Sequence, residues 1–299
     1  MEYFSGIAGV SITFAVMMTM AVLAVTLFFV GLYFNFRKWG QGSLAWGIEP
    51  EEGKHGIIGS LIVFAKAYWK QLRAYSVHHG QNILVTIVFD VIFLRRTARA
   101  DPLRWFMHMC IIIGWMGLFT LSGLMFAVEI PYLLSIYGFK FSLSSTLIPI
   151  ALNIDFIKPE VFREHVQLPA QLLGYLLLLG ILIAIGRRLF IPKVRENTNS
   201  YDAIILITLL VIVVTGFIAH AGRYIAIGIT DFTGYDFIFY DYLFWTLGGQ
   251  APFLTYVREI ALTHSVLSLF LGIAFIPYSK YIHVITTPLS MIVNKGGEH

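Results

Sequence analysis

Charge is what this 299-residue chain has least of. Only 13% of its residues are Asp, Glu, Lys or Arg, while 58% are hydrophobic and the mean hydropathy is +0.76. Soluble globular domains carry ~25% charged residues, so the composition excludes that class and describes an integral membrane protein. Cysteine is nearly absent as well. The one thiol, Cys110, lies inside an apolar run, which rules out an internal disulfide and any iron-sulfur cluster held by this chain, since such clusters take about four thiolates. Acidic residues within spans and an internal repeat of broken helices, the usual marks of a secondary transporter or proton channel, are also missing. A net charge of +4 and a pI near 9.1 would suit nucleic acid, but the basic residues cluster in loops beside apolar runs, the pattern that records membrane orientation.

What is present is a set of five apolar stretches, at about 7–36, 103–128, 161–189, 201–227 and 254–284. Each is long enough, at ~1.5 Å per helical residue, to cross a hydrocarbon layer of ~30 Å. The first is too long for a signal peptide and is followed, not preceded, by the basic pair Arg37-Lys38, so it reads as a retained anchor. The segment 37–102 carries nine basic residues and reads as a cytoplasmic loop. Within it the pattern predicts an amphipathic helix over 57–74 and a further apolar run over 82–94, interrupted by Asp90 and too short to span. Both are expected along the membrane surface or under a partner. The five-span path puts sixteen of the 21 basic residues inside and five outside, which gives an N-out, C-in orientation. The expected fold is an all-α integral membrane protein of the cytoplasmic membrane: a single membrane domain over 1–299, with a bundle of five transmembrane helices and amphipathic helices in the first cytoplasmic loop.

The histidines carry the chemistry. His264 and His283 stand nineteen residues apart in the last stretch, roughly 28 Å along a regular helix, so one helix offers an imidazole to each leaflet. The same topology puts His108 at the depth of His283, and His165 and His220 toward the outer face with His264. His78 and His79 are adjacent, point about 100° apart on a helix, and do not suit one metal. An imidazole in hydrocarbon must be bonded to something. Snorkelling or a bond to a carbonyl explains any one of them; two layers, each with members on different helices, fit the axial ligands of two haems, one per leaflet. Arg223, three residues after His220, is the residue type that neutralises a propionate, and Arg104 precedes His108 by one turn. His165, with Arg163 and Glu164 beside it, suits a quinol head, a haem iron or a helix cap. Gly114, Gly117 and Gly123 suit either close helix packing or a porphyrin face. Axial imidazoles need the second ring nitrogen held by a Ser, Thr or backbone carbonyl.

Several short motifs then converge. Pro277-Tyr278-Ser279-Lys280 with His283 and Pro288 resembles the end of the fifth helix in the gamma subunit of respiratory nitrate reductase, a five-span cytochrome b with two b-type haems. Asp90-Val91 with Arg95-Arg96, Arg104-Trp105 with His108-Met109, Thr215-Gly216-Phe217 with Arg223, and Pro277 with Ser279-Lys280 and His283 are similar to the membrane cytochrome b of heterodisulfide reductase and of the related complex serving dissimilatory sulfite reduction. The likeness covers about 89–288 and rests on order and spacing. It implies a subunit that oxidises menaquinol or methanophenazine and passes electrons through haem b to a cytoplasmic iron-sulfur subunit of heterodisulfide-reductase type docked on 37–102, in sulfate or sulfur respiration or in methanogenesis. Further membrane and extracytoplasmic cytochrome subunits are compatible with it. Carried over by position, His108 and His283 hold the inner haem and His264 the outer one. Where the nitrate enzyme has a further histidine this chain has Leu118, so the partner of His264 is His220, with His165 as the alternative. The interval from His264 to His283 is also one residue longer than in that family, which a kink or bulge at Pro277 can absorb. The competing class is a non-redox anchor or proton-conducting subunit of an oxidoreductase complex.

Overall fold

The computed structural model describes residues 12–40, 57–79, 85–136, 159–226 and 251–293. Among them every regular element is helical. Among the same residues, four helices contain segments long and apolar enough to cross a membrane: Thr19–Lys38, Pro102–Met125, Leu168–Phe190 and Ser200–His220. The chain divides into two compact units.

The first unit holds α1 (Ile12–Gly40), α2 (Ile57–His79), a π-helical turn (Thr86–Ile92), α3 (Arg95–Ala100), and the later α7 (Ser200–Ala226), α8 (Ala251–Leu269) and α9 (His283–Val293). α1 ends on Arg37 and Lys38, cations at the negative end of the helix dipole. α7 starts on a reciprocal cap: the Asp202 N–H donates to Asn199 Oδ1 at 3.0 Å and the Asn199 N–H to Asp202 Oδ2 at 3.3 Å. α7 and α8 run antiparallel, because Gly216 meets His264 while Ile205 and Asp202 meet Tyr281 and Lys280.

The last expected span is not one regular helix. α8 gives way to a π-helical turn at Phe270–Ala274, where the Phe275 N–H donates to Phe270 O at 2.9 Å. Two 3-10 turns follow, Ile276–Tyr278 and Lys280–Ile282, before α9 begins at His283. Pro277 explains the break, since it lacks an N–H and its ring clashes with the preceding turn. The π turn is the kind of local bulge that can absorb one residue within a helix. The broken backbone is held by its neighbours. Asn35 Nδ2 donates to Pro277 O at 2.8 Å, Tyr278 Oη to Leu27 O at 3.0 Å, and Tyr281 Oη to Ile205 O at 3.0 Å. A Cβ on Gly31 would stand 2.6 Å from Pro277 Cβ, so only glycine lets α1 approach the break this closely.

The second unit holds α4 (Pro102–Ile136), α5 (Pro159–Phe190) and α6 (Pro192–Glu196). α4 and α5 are antiparallel and pack through small residues. A Cβ on Gly114 would lie 2.7 Å from Leu177, one on Gly117 2.6 Å from Leu173, and one on Gly180 2.7 Å from Ile111. Gly114 and Gly117 therefore serve helix packing, which corrects the porphyrin-face reading for both; Gly123 meets nothing within 4 Å. Cys110 is buried in this seam.

Candidate functional site

α8 holds the His264 ring against α7. A Cβ on Gly216 would come within 3.0 Å of His264 Cε1 and 3.4 Å of Nε2, so the glycine opens the space that the ring edge occupies. Thr215 is its polar partner. Thr215 Oγ1 stands 2.7 Å from Val211 O and 3.1 Å from Ile212 O, and 3.1 Å from His264 Nδ1. With the hydroxyl proton directed to the main chain, Oγ1 accepts from Nδ1–H, the tautomer in which Nε2 keeps its lone pair. Ser268 Oγ, one turn along α8, is 3.4 Å from Nε2 and 3.5 Å from Nδ1, at the limit of hydrogen-bond reach.

His283 is prepared in the same way by a different donor set. Its Nδ1 donates to the Lys280 carbonyl oxygen. A carbonyl only accepts, so Nδ1 carries a proton, and the ring is exposed. Asp202 and Lys280 form an ion pair at 3.1 Å. Thr215 lies thirteen residues beyond Asp202 on α7, ~20 Å along the axis. His264 is therefore ~20 Å from the level of that ion pair, and His283 follows Lys280 by three residues.

His220 is four residues beyond Gly216 on α7 and half-buried, on the face that Gly216 turns toward α8. In the second unit, His108 is half-buried between Met107 and Met109, both buried, with Arg104 exposed one turn earlier. His165 near the start of α5 is exposed. The side chains of Arg163, Glu164 and Arg223, and those of His78 and His79, lie outside the described residues. Among the described residues no group of three or more His, Cys, Asp or Glu could hold a metal ion, so any iron here would depend on paired imidazoles and its own macrocycle.

Sequence reasoning missed Thr215 and Ser268 as the partners of His264, although Thr215-Gly216-Phe217 stood out as a motif and Ser268 is one turn away. It named Asp90 beside Arg95 without reading its burial, and it missed Gln171. Asp90 is 2% exposed, with Oδ1 at 3.0 Å from Arg95 Nε and Oδ2 unpartnered among the described residues. Gln171 is 3% exposed, with Oε1 unpartnered among the same residues.

Apolar helices of membrane-crossing length, with the His264 ring packed against Gly216 and Thr215 of α7, define a multi-pass helical membrane protein. The family that matches, over residues 84–291, is HdrE, described as a subunit of dihydromethanophenazine:CoB--CoM heterodisulfide reductase. The HdrE protein of Methanosarcina mazei is 42% identical over 302 residues, covering 100% of both chains. Those of Methanosarcina thermophila and Methanosarcina barkeri are each 40% identical, covering 100% of this chain and 98% of theirs. No solved structure matches. The chain belongs to the HdrE family of heterodisulfide reductase subunits, and it is an integral membrane protein.

Proposed function

We propose that this chain is the di-haem cytochrome b subunit of a membrane-bound heterodisulfide reductase, taking electrons from a lipid-soluble carrier and delivering them to a cytoplasmic iron-sulfur subunit. The names of its relatives favour dihydromethanophenazine as the carrier, with menaquinol as the other lipid of suitable chemistry. The observation that carries the reading is that Thr215 Oγ1 and Lys280 O stand at Nδ1 of His264 and His283, an arrangement that leaves Nε2 for a metal when each ring is neutral. The residues fit haem b: His264 and His283 would each hold one through a ring nitrogen, and the group would supply reversible one-electron transfer. The outer pair would be His264 with His220, or with His165. The assignment of His108 beside His283 to the inner haem rests on the resemblance alone, as do Arg104 and Arg223 as propionate partners.

The chain's own groups then have distinct tasks. A two-electron carrier leaves two protons behind when it is oxidised; at the start of α5, Arg163 is the candidate to bind its head, and His165 and Glu164 are the candidates to bind it and accept the protons. Thr215 and Lys280 O would hold the imidazoles correctly turned. Apolar walls on α7 and α8 exclude water from the His264 side. We place the chain as a single membrane domain, N-out and C-in. The fifth span is α8 with its π turn: nineteen α-helical residues cover ~28 Å and the five of the turn complete the crossing. The antiparallel pairs α4–α5 and α7–α8 suit that topology. Arg95, Arg96 and Arg99 would meet the iron-sulfur partner. Membranes containing the complex, mixed with a reduced water-soluble phenazine, are expected to develop b-type haem bands that the heterodisulfide reoxidises. Bands that fail to respond to either reagent would remove this chain from the electron path.

A further inference from the structure

The exposed side chains of α2 are sorted by chemistry. Those described are Ile58, Ile62, Ala65, Lys66, Trp69, Lys70 and Arg73. At about 100° per residue they fill one arc of roughly 140°. Around that arc the order is Ala65, Ile58, Trp69, Ile62, then Arg73, Lys66, Lys70, so an apolar sector adjoins a basic one without mixing. The exposure is large, 71% for Ile58, 48% for Ile62 and 55% for Trp69. The Arg73 guanidinium carbon lies 5.4 Å from the Trp69 ring centroid, at the seam between the sectors.

The opposite side of α2 is already used. Ser60 and Val63 are buried, Phe64 packs against Phe36 of α1 with ring centroids 5.3 Å apart, and Tyr68 Oη donates to Leu289 O of α9 at 3.2 Å. Phe36 directly precedes Arg37 and Lys38, where the apolar run of α1 ends. α2 therefore meets α1 at the boundary between hydrocarbon and headgroups.

We infer that α2 is an interfacial helix and that Lys66, Lys70 and Arg73 form a binding site for the phosphates of anionic lipid, with Ile58, Ile62 and Trp69 immersed in the acyl boundary. Charge and position favour lipid over a protein occupant. A basic stripe fits a phosphate plane, the adjoining apolar stripe fits the layer below it, and the core of a protein interface is depleted in lysine. The iron-sulfur partner is then left the basic residues around α3. The inference needs α1 to span the membrane and does not need haem, so haem content measured on the same samples reports separately on the proposed function.

The test uses the complete complex in lipid nanodiscs with and without phosphatidylglycerol, carrying a nitroxide on Ile62→Cys; Cys110 is buried and unlabelled. The label is expected to collide with oxygen and not with a water-soluble nickel reagent, at a depth ~5–10 Å below the phosphates, whether or not the iron-sulfur subunit is bound. Ile58→Cys gives the same reading should the first variant not assemble. Replacing Lys66, Lys70 and Arg73 together by Gln is expected to lower retention of phosphatidylglycerol over phosphatidylcholine about fivefold per charge, on the order of a hundredfold in all. A label reached by nickel, one shielded only when the iron-sulfur subunit docks, or an unchanged lipid preference in the triple variant overturns the proposal.

Discussion

Replacing Thr215 by valine probes the His264 site with little change of volume. Valine keeps the branched shape and removes the hydroxyl that stands 3.1 Å from His264 Nδ1. Two effects follow. The intramolecular hydrogen bond is worth ~0.5–1.5 kcal/mol in stability, a modest loss for a chain of this size. The larger effect is on the ring, which loses the acceptor that keeps the proton on Nδ1 and sets its rotation. Residues that hold a metal-bound histidine typically contribute 10–100-fold to metal affinity, equivalent to about 1.4–2.8 kcal/mol. The expected result for Thr215→Val is a fall of that size in haem affinity at the His264 site, with altered low-spin electron paramagnetic resonance, while the site containing His283 is unaffected. Thr215→Ser keeps the oxygen and should restore affinity to within about threefold. The assay is haem titration of the purified complex, read by the reduced-minus-oxidised spectrum. Equal affinity and identical resonance in all three proteins would refute the argument that this hydroxyl prepares the ring.

Two further outcomes follow from packing and charge. Gly31→Ala puts a methyl 2.6 Å from Pro277 Cβ and 2.7 Å from the Tyr278 ring; overpacking of this kind costs about 1–3 kcal/mol, so the thermal midpoint of the complex in detergent should fall, and an unchanged midpoint would mean that α1 does not support the break. Arg95→Ala leaves the Asp90 carboxylate, 2% exposed, without its cation. Because Arg95 is itself partly solvated, the loss is expected at the low end for buried pairs, about 2–3 kcal/mol, and Asp90→Asn should cost less, about 1 kcal/mol, in chemical denaturation. Equal effects of the two would contradict the pairing.

Much of the helical frame was legible because membrane spans are written as long apolar runs. The stretches at 103–128 and 161–189 fall within α4 and α5, that at 201–227 matches α7 as far as its last described residue, Ala226, and the amphipathic stretch at 57–74 opens α2. Pro277 announced the irregularity before His283, since a ring without an N–H cannot sit quietly in a helix interior. The length of the break was not legible. It depends on Asn35 of α1 reaching the Pro277 carbonyl and on Tyr278 and Tyr281 reaching carbonyls on α1 and α7, contacts between residues more than 70 positions apart. The glycines were ambiguous for a related reason: a small residue signals close approach without saying what approaches, and Leu173 and Leu177 of α5 turned out to fill that place for Gly114 and Gly117. At the candidate site, depth identified His264 and His283, but the tautomer of His264 required the register of α7 against α8. That register is set by distant polar contacts such as Lys280 with Asp202. The sorting of α2 into two sectors was present in the sequence, and became readable once exposure showed which arc is uncovered.

The most direct measurement of the central claim is the number of b-type haems per chain in the purified wild-type complex and in His264→Ala and His283→Ala. Two haems in the wild type, with each substitution removing a different one as distinguished by potential, is the predicted result. A wild-type complex that is colourless yet still couples carrier oxidation to heterodisulfide reduction, or substitutions that leave both haems in place, would contradict it.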